Sequence, residues 1–190
     1  MIGIVLDPSS IIPCGRRSHV EEEAVRNLGD KLYTTKCVTI FLSNHILNIY
    51  KSKVMPELER CHPLPKFQAS LKRIMPILLN IVRRSRGLIC KPKLTETGVI
   101  FHVLESSRVE RYDIDDIIFL DEEDKEFLKV ALAGASYSNK MFLVTLDRHF
   151  LEQLNVEKLR RRYDEEARKI SIVAPNDQRL FDALDLLCRT

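Results

Sequence analysis

Residues 142–147 read Phe-Leu-Val-Thr-Leu-Asp, an apolar and partly β-branched run that ends at Asp147. Near the start of the chain, residues 4–7 read Ile-Val-Leu-Asp and end in the same way at Asp7. Such runs are typical of parallel strands that are buried on both faces of a sheet. Because open α/β folds place their sites outside the carboxyl ends of these strands, Asp7 and Asp147 are predicted to lie at one edge of the sheet.

Strands and helices alternate along the rest of the chain, which predicts a parallel sheet with crossover helices. The predicted strands are residues 2–6, 37–42 and 141–145, with a closing strand and helix in residues 170–184. Four helices are predicted. The first begins at a Ser18–Glu21 capping box and ends at Gly29, and the second begins at Ser43. The other two span residues 122–134 and 156–168. Residues 64–86 predict a helix that is kinked or split at Pro76 and ends at Gly87.

Residues 88–120 fit this alternation least well and are predicted to be an insert. Within them, residues 99–104 and 108–112 have the composition of two strands, joined by residues 105–107. We expect a hairpin or irregular extended pieces here. The insert either lines a substrate groove, mediates dimer contacts, or is a surface hairpin without a function.

A third acidic segment, residues 121–124, opens the helix predicted from residue 122. Asp121 and Asp124 are three residues apart, so both can project from one side of its first turn. Each acid of the chain has an ordinary explanation as a turn or helix cap, and acids near a helix start also complement its dipole. Three of them at one sheet edge favour a site for Mg²⁺ or Mn²⁺, which prefer oxygen ligands.

These segments together resemble the PIN domain family of metal-dependent ribonucleases. The resemblance lies in the strand end at Asp7, the Ser-x-x-Ile-Leu-x-x-Tyr stretch of residues 43–50, the Asp121-x-x-Asp124 helix start, the Leu-Val-Thr-x-Asp strand end at Asp147, and residues 170–184. It implies a three-layer α/β/α fold with a mainly parallel sheet. It also implies hydrolysis of RNA by an Mg²⁺ or Mn²⁺ ion held by Asp7, Asp124 and Asp147.

Two positions depart from the family pattern. Asn48 stands where relatives usually carry Glu, and His149 stands where many carry another acid. An amide offers only a neutral oxygen, so Asn48 predicts a weakened metal site unless Asp121 supplies the missing carboxylate. The ordinary explanation for His149 is an exposed histidine at a helix start. The alternative function is therefore a degenerate PIN-fold protein that binds RNA or a protein partner and cleaves weakly or not at all.

Clusters of arginine are the candidate RNA contacts. They are Arg16 and Arg17, Arg83, Arg84 and Arg86, and Arg160 and Arg161. Such residues grip phosphates without reading the base sequence. Each cluster by itself is better explained as a solvated helix face, because 30% of the residues are charged.

The length and composition of the chain limit the fold and function classes that it can belong to. The chain has 190 residues, 45% of them hydrophobic, which predicts one domain with an ordinary core. A net charge of +3 leaves RNA binding to local patches. Five scattered cysteines without a Cys-x-x-Cys pair predict free thiols and a cytoplasmic protein, and no run approaches the roughly 20 apolar residues of a membrane span. With only six glycines, the chain has no phosphate-binding Gly-x-x-x-x-Gly-Lys loop.

An apolar helical surface predicts a homodimer. Its members are Tyr50, Val54, Met55, Ile74, Ile77, Leu78 and Ile81. One small sheet is not expected to cover all of them, and an uncovered stripe commonly becomes a twofold interface. The competing explanation is that the insert covers the stripe and leaves a monomer. The family resemblance is also compatible with a toxin role and an antitoxin-like protein partner, although this chain is longer than the compact toxins.

Overall fold

A computed structural model describes residues 1–12, 18–35, 38–61, 75–79, 81–82, 93–94, 99–154 and 156–188. Within these residues one sheet contains β1 (Ile2–Leu6), β2 (Thr39–Leu42), β3 (Lys93–Leu94), β4 (Ile100–Val103), β5 (Lys140–Val144) and β6 (Ile170–Val173). The strand order is β3-β4-β2-β1-β5-β6. All neighbours pair in parallel except β3, which runs antiparallel to β4 at the edge.

Helices flank this sheet in a three-layer α/β/α arrangement, which confirms the predicted fold class. They are α1 (His19–Thr34), α2 (Asn44–Ile49), α3 (Met55–Cys61), α4 (Ser106–Glu110), α5 (Glu122–Ala135), α6 (Val156–Arg162), α7 (Asp164–Lys169) and α8 (Gln178–Cys188). Two π-helical turns, Tyr50–Val54 and His149–Gln153, continue α2 and follow β5. Residues 75–79 and 81–82 are also helical.

The strand order reverses beside β1. From β1 the chain proceeds to β2 and β4 on one side, and it later returns to place β5 and β6 on the other side. Two crossovers that leave in opposite directions open a crevice at the carboxyl ends of β1 and β5, where open α/β sheets bind their ligands. Asp7 and Asp147 follow these two strands.

Helix α5 crosses the sheet in close contact. A Cβ atom placed on Gly134 of this helix would lie 2.5 Å from Cε of Met141, and one placed on Gly3 of β1 would meet the same atom at 2.5 Å. A side chain at either position would have to displace the end of Met141 and press on the ring of Phe41, so the helix packs closely on the strands. Since α5 precedes the parallel strand β5, its first turn lies at the carboxyl edge of the sheet, and Asp121 and Asp124 lie there with it.

The predicted hairpin is wrong. β4 is a core strand, paired in parallel with β2, and its residues 101 and 103 are buried together with Val99 and Leu104. Its antiparallel partner is β3, and residues 106–110 form helix α4. Val109 and Tyr112 are both buried at a spacing of three, which suits a helical turn and not an alternating strand.

Two helix predictions also differ from the structure, and a third is largely untested. Helix α1 does not end at Gly29, because the glycine is buried within a helix that runs to Thr34. The predicted helix 156–168 is two helices, because Tyr163 leaves the helical conformation and its hydroxyl donates to the carbonyl of Asp113 at 2.9 Å. Most of the predicted helix 64–86, together with Gly87, lies outside the described residues.

The predicted uncovered stripe is not a free surface. Tyr50, Val54, Ile77, Leu78 and Ile81 are at most 1% exposed, and Met55 is 9% exposed. Ile74 lies outside the described residues. These side chains are buried within one chain, so they give no support to a dimer.

Cys61 at the end of α3 is disulfide-bonded, so the prediction of free thiols is wrong for this cysteine. No helix in the described part of the chain is long and apolar enough to cross a membrane.

Candidate metal centre

Asp7 is a buried carboxylate directly after β1, with 6% of its surface exposed. Its backbone N–H donates to the carbonyl of Val144 at 3.0 Å, which extends the ladder between β1 and β5 by one residue. Its side chain accepts hydrogen bonds from the backbone N–H of Ser9 at 2.8 Å and from the hydroxyl of Thr145 at 3.2 Å. The Ser9 hydroxyl also donates to the same oxygen. These three donors hold the carboxylate at the crevice.

The same two hydroxyl groups position the loop after β5. The Ser9 hydroxyl accepts the backbone N–H of Leu146 at 2.8 Å, and the Thr145 hydroxyl accepts that of Asp147 at 2.9 Å. Each hydroxyl thus donates to Asp7 and accepts a backbone N–H of the loop after β5. The distance between the loops after β1 and β5 is therefore set by direct hydrogen bonds.

Asp124, Asp147 and His149 form a cluster in which one potential ligand atom from each lies within 4.8 Å of the others. Asp124 comes from the first turn of α5, whereas Asp147 and His149 come from the loop after β5. Asp147 accepts the backbone N–H of His149 at 2.7 Å, which folds the imidazole back toward the acids, with Nδ1 3.5 Å from the carboxylate. His149 is exposed at the start of its turn, and its ring also completes this cluster.

The carboxylates at the crevice interact electrostatically. Burial raises the pKa of Asp124 to about 6, with further contributions from the negative charges of Asp121, Asp147 and Asp7. Burial also raises the pKa of Asp7, and the charge of Asp147 adds to this rise, while the hydrogen bonds from Ser9 and Thr145 oppose it. A bound cation would relieve this repulsion between the carboxylates.

The donor set fits a divalent ion. Ligand oxygens lie about 2.0–2.1 Å from Mg²⁺ and about 2.3–2.6 Å from Ca²⁺, so two ligand atoms of one ion are at most about 4.2 Å apart around Mg²⁺ and about 5 Å apart around Ca²⁺. The ligand atoms of the cluster lie within 4.8 Å of one another, so they meet the limit of the larger ion as they stand, and a small contraction brings them within that of Mg²⁺. The imidazole of His149 adds a nitrogen ligand, which suits a transition metal better than Mg²⁺.

Helix α2, which carries Asn48, packs beside α5. The hydroxyl of Ser43, the N-cap of α2, donates to Glu126, and Lys53 pairs with Glu123. Asn48 itself is exposed, and its backbone carbonyl accepts a hydrogen bond from the hydroxyl of Ser52 at 2.8 Å.

Tyr50 holds the end of β1 from the same side. Its phenol is buried and donates to the carbonyl of Leu6, the residue before Asp7, at 2.6 Å. Burial, and then the charge of Asp7, raise the pKa of this phenol, so it stays protonated and keeps donating. The tyrosine of the Ser-x-x-Ile-Leu-x-x-Tyr stretch is thus a support for the strand that carries Asp7.

The remaining predicted site residues are distributed as follows. Asp121 is the exposed N-cap of α5 and accepts the backbone N–H of Asp124 at 2.8 Å, so it orients the helix start next to the cluster. Arg160 pairs with Glu157 within α6. Arg161 is exposed and lines a groove described below. The other predicted RNA contacts lie outside the described residues; they are Arg16, Arg17, Arg83, Arg84 and Arg86.

Three residues of this region were not predicted from the sequence: Ser9, Thr145 and Arg148. The hydroxyl groups of Ser9 and Thr145 connect loops that are far apart in the chain, so no local pattern marks them. Arg148 lies between Asp147 and His149, is exposed, and forms no ion pair with a residue that the structure describes. The sequence feature that could have identified Arg148 is its position directly after Asp147.

The chain matches no family model, no curated protein and no solved structure. The resemblance to the PIN domain family therefore continues to depend on the motifs in which it was found.

Proposed function

We propose that this protein hydrolyses phosphodiester bonds of RNA, with a divalent ion held by Asp124, Asp147 and His149 beside Asp7. RNA as the substrate comes from the resemblance to the PIN domain family. A divalent ion in such a site supplies charge stabilisation for the transferred phosphoryl group and an activated water.

The observation that carries this proposal is the meeting of three potential ligands from two separate elements at the point where the strand order reverses. Helix caps alone would explain each acid in its own loop. They would not explain why two of the acids and an imidazole lie within 4.8 Å of one another, next to a carboxylate that is almost fully buried. Burying uncompensated like charges is costly, and a cation offsets that cost.

The protein's own residues have distinct roles in this proposal. Asp7 is oriented by Ser9 and Thr145 and presents a buried carboxyl group beside the cluster. Asp124 and Asp147 present the more accessible carboxylates, and His149 presents a ring nitrogen toward them. Asp121 and the N-terminal dipole of α5 orient Asp124.

Arg148 is the nearest candidate for the substrate phosphate. It lies between two residues of the cluster and is exposed, and no described acid neutralises it. A guanidinium at this position can donate to phosphate oxygens on the substrate side of the acids. RNA would then meet a cation before it meets the carboxylates.

Binding of RNA without cleavage is the second candidate function. It is favoured by Asn48, an exposed neutral amide where the family resemblance implies a carboxylate. In this case the crevice would hold an ion too weakly to complete a turnover, and the basic residues would still bind phosphates.

The test is cleavage of an end-labelled single-stranded RNA in Mn²⁺, with calorimetric titration of Mn²⁺ in parallel. Wild type should cleave and should bind Mn²⁺, and Asp7→Asn and Asp147→Asn should lose both. Glu122→Gln is the matched control, since it removes an equal charge from the exposed first turn of α5 and should change neither. Wild type that binds RNA and Mn²⁺ without cleavage would support the second candidate, and wild type that binds no Mn²⁺ would refute the metal site.

A further inference from the structure

A groove lies next to the acidic cluster, between the loop that precedes α5 and helix α6. It has a volume of about 390 Å³. We call it the basic groove; its lining includes Ile117, Phe119, Leu154, Lys158, Leu159 and Arg161. Apolar side chains line much of it, and α6 contributes three cations, Lys158, Arg161 and Arg162. Arg162 is paired with Asp116, which also lines the groove.

The walls of the groove are held together by direct contacts. Arg162 of α6 donates to the two carboxylate oxygens of Asp116 at 2.8 and 2.9 Å, and it also donates to the carbonyl of Asp113 at 3.3 Å. The hydroxyl of Tyr163 reaches the same carbonyl at 2.9 Å. A bidentate pair with two additional hydrogen bonds fixes the loop against α6, so the groove is a formed feature.

Both walls continue into the acidic cluster. Phe119 is two residues before Asp121, the N-cap of the helix that carries Asp124. Gln153, which also lines the groove, ends the π-helical turn that begins at His149. Residues 149 and 153 are the two ends of this one turn, so a single turn joins the cluster to the groove. A strand that leaves the cluster in this direction enters the groove.

The surface chemistry fits an unpaired nucleotide. Phe119 and Ile117 are half-buried, and Ile118, between them in the chain, is 90% exposed. Arg161 forms no ion pair with a residue in the described part of the chain. An apolar floor with an aromatic ring accepts the face of a base, and a cation at the rim accepts the phosphate. The bases of a duplex are stacked and could not reach this floor.

We propose that the basic groove binds a nucleotide of single-stranded RNA that flanks the cleaved phosphate, with the base against Phe119 and a phosphate against Arg161. This inference rests on the proposed function for the direction of the strand. It also assigns Arg161, and not Arg160, as the phosphate contact, because Arg160 is paired with Glu157.

The experiment measures binding without cleavage. Fluorescence anisotropy of a labelled 12-residue single-stranded RNA is followed in EDTA, at several salt concentrations, with wild type and variants. Phe119→Ala should weaken binding about fivefold or more, because it removes one stacked base. Arg161→Ala should weaken binding at low salt and reduce the slope of log K against log salt by about 0.7, the value for one phosphate on a single strand.

The controls separate a binding role from a folding role. Arg26→Ala removes an equal charge from the exposed face of α1 and should leave affinity within twofold of wild type. Phe119→Leu retains apolar volume and loses the aromatic face, so it should also weaken binding while its melting temperature stays near that of wild type. Arg161→Lys should restore most of the affinity.

Four outcomes would overturn the groove proposal. Wild type could bind no single-stranded RNA, or both Phe119 variants and Arg161→Ala could keep the affinity of wild type. Wild type could also bind duplex RNA as tightly as single-stranded RNA, or Phe119 could matter only for the binding of an acidic peptide. Unchanged affinity together with Mn²⁺-dependent cleavage would leave the proposed nuclease function standing. Groove-dependent binding without cleavage would support the groove and refute the nuclease.

Discussion

Replacing Asp124 with asparagine should stabilise the metal-free protein and remove its response to Mn²⁺. In the folded protein, burial and three neighbouring acids raise the pKa of Asp124 from the 3.8 of an unperturbed aspartate to about 6. At about 1.4 kcal/mol per pKa unit, this corresponds to about 3 kcal/mol of lost stability above pH 7. Because the carboxylate is only partly shielded from water, we expect the actual loss of stability to be smaller, about 1–2 kcal/mol.

The sign of the pH dependence follows from proton linkage. Between about pH 4 and 6 the folded protein holds a proton on Asp124 that the unfolded chain has released. The free energy of unfolding therefore falls as pH rises through this window, and the stabilising contribution is complete only below it. Asp124→Asn cannot titrate, so its advantage over wild type should be near zero at pH 4 and full at pH 7.5.

Thermal unfolding in EDTA measures this effect. A gain of about 1–2 kcal/mol should raise the melting temperature of Asp124→Asn by about 2–8 °C at pH 7.5. Glu122→Gln, with the same loss of charge in the same helical turn, should show no such gain, because its carboxylate pairs with Lys125 at 2.9 Å in an exposed position.

Addition of Mn²⁺ should reverse the order of stability. An ion at 100 times its dissociation constant stabilises wild type by about 2.7 kcal/mol, and the variant should lose most of this gain. A variant that is less stable than wild type at pH 7.5 in EDTA, or one that Mn²⁺ stabilises as much as wild type, would show that Asp124 is an ordinary helix-start residue.

Three further predictions concern the neighbours of Asp124. Thr145→Val keeps the shape of the side chain and removes the hydroxyl that bridges Asp7 and the backbone of Asp147. Urea unfolding should show that the free energy of unfolding falls by about 1–3 kcal/mol, and calorimetry should show a weaker affinity for Mn²⁺. Unchanged stability would contradict the bridge. His149→Ala should lower the affinity for Co²⁺ more than that for Mg²⁺, because imidazole favours transition metals, and parallel losses for both ions in calorimetry would remove His149 from the ligand set. Asn48→Glu adds a carboxylate on the helix that packs beside α5 and should raise Mn²⁺ affinity, and an unchanged titration would place residue 48 away from the ion.

The elements that could be predicted from sequence are those whose causes are local. β1 matches its prediction at Ile2–Leu6, because a strand buried on both faces is a continuous apolar run. The Ser18–Glu21 capping box is present, since its two hydrogen bonds join residues three apart. The start of α5 at Asp121 has the same local origin. Each of these signals lies within five residues.

Other local signals were misread where tertiary packing decides the outcome. Residues 108–112 have strand-like composition, and they form a helix and turn because Val109 and Tyr112 are buried at helical spacing. The apolar stripe that includes Tyr50 and Val54 is covered within the chain, and a count of predicted faces did not anticipate this. Composition states which residues need burial, and the packing determines what buries them.

The acids at the ends of β1 and β5 were identified by sequence, but the geometry that makes them a site belongs to the tertiary structure. Thr145 and Asp7 are 138 residues apart in the chain, and the hydrogen bond between them exists because β5 lies next to β1 in the sheet. The turn of the His149 ring toward Asp124 depends in the same way on where α5 begins relative to β5. Sequence patterns specify strands, caps and charges over a few residues, whereas ligand distances depend on strand order, and strand order is set by the packing of the whole chain.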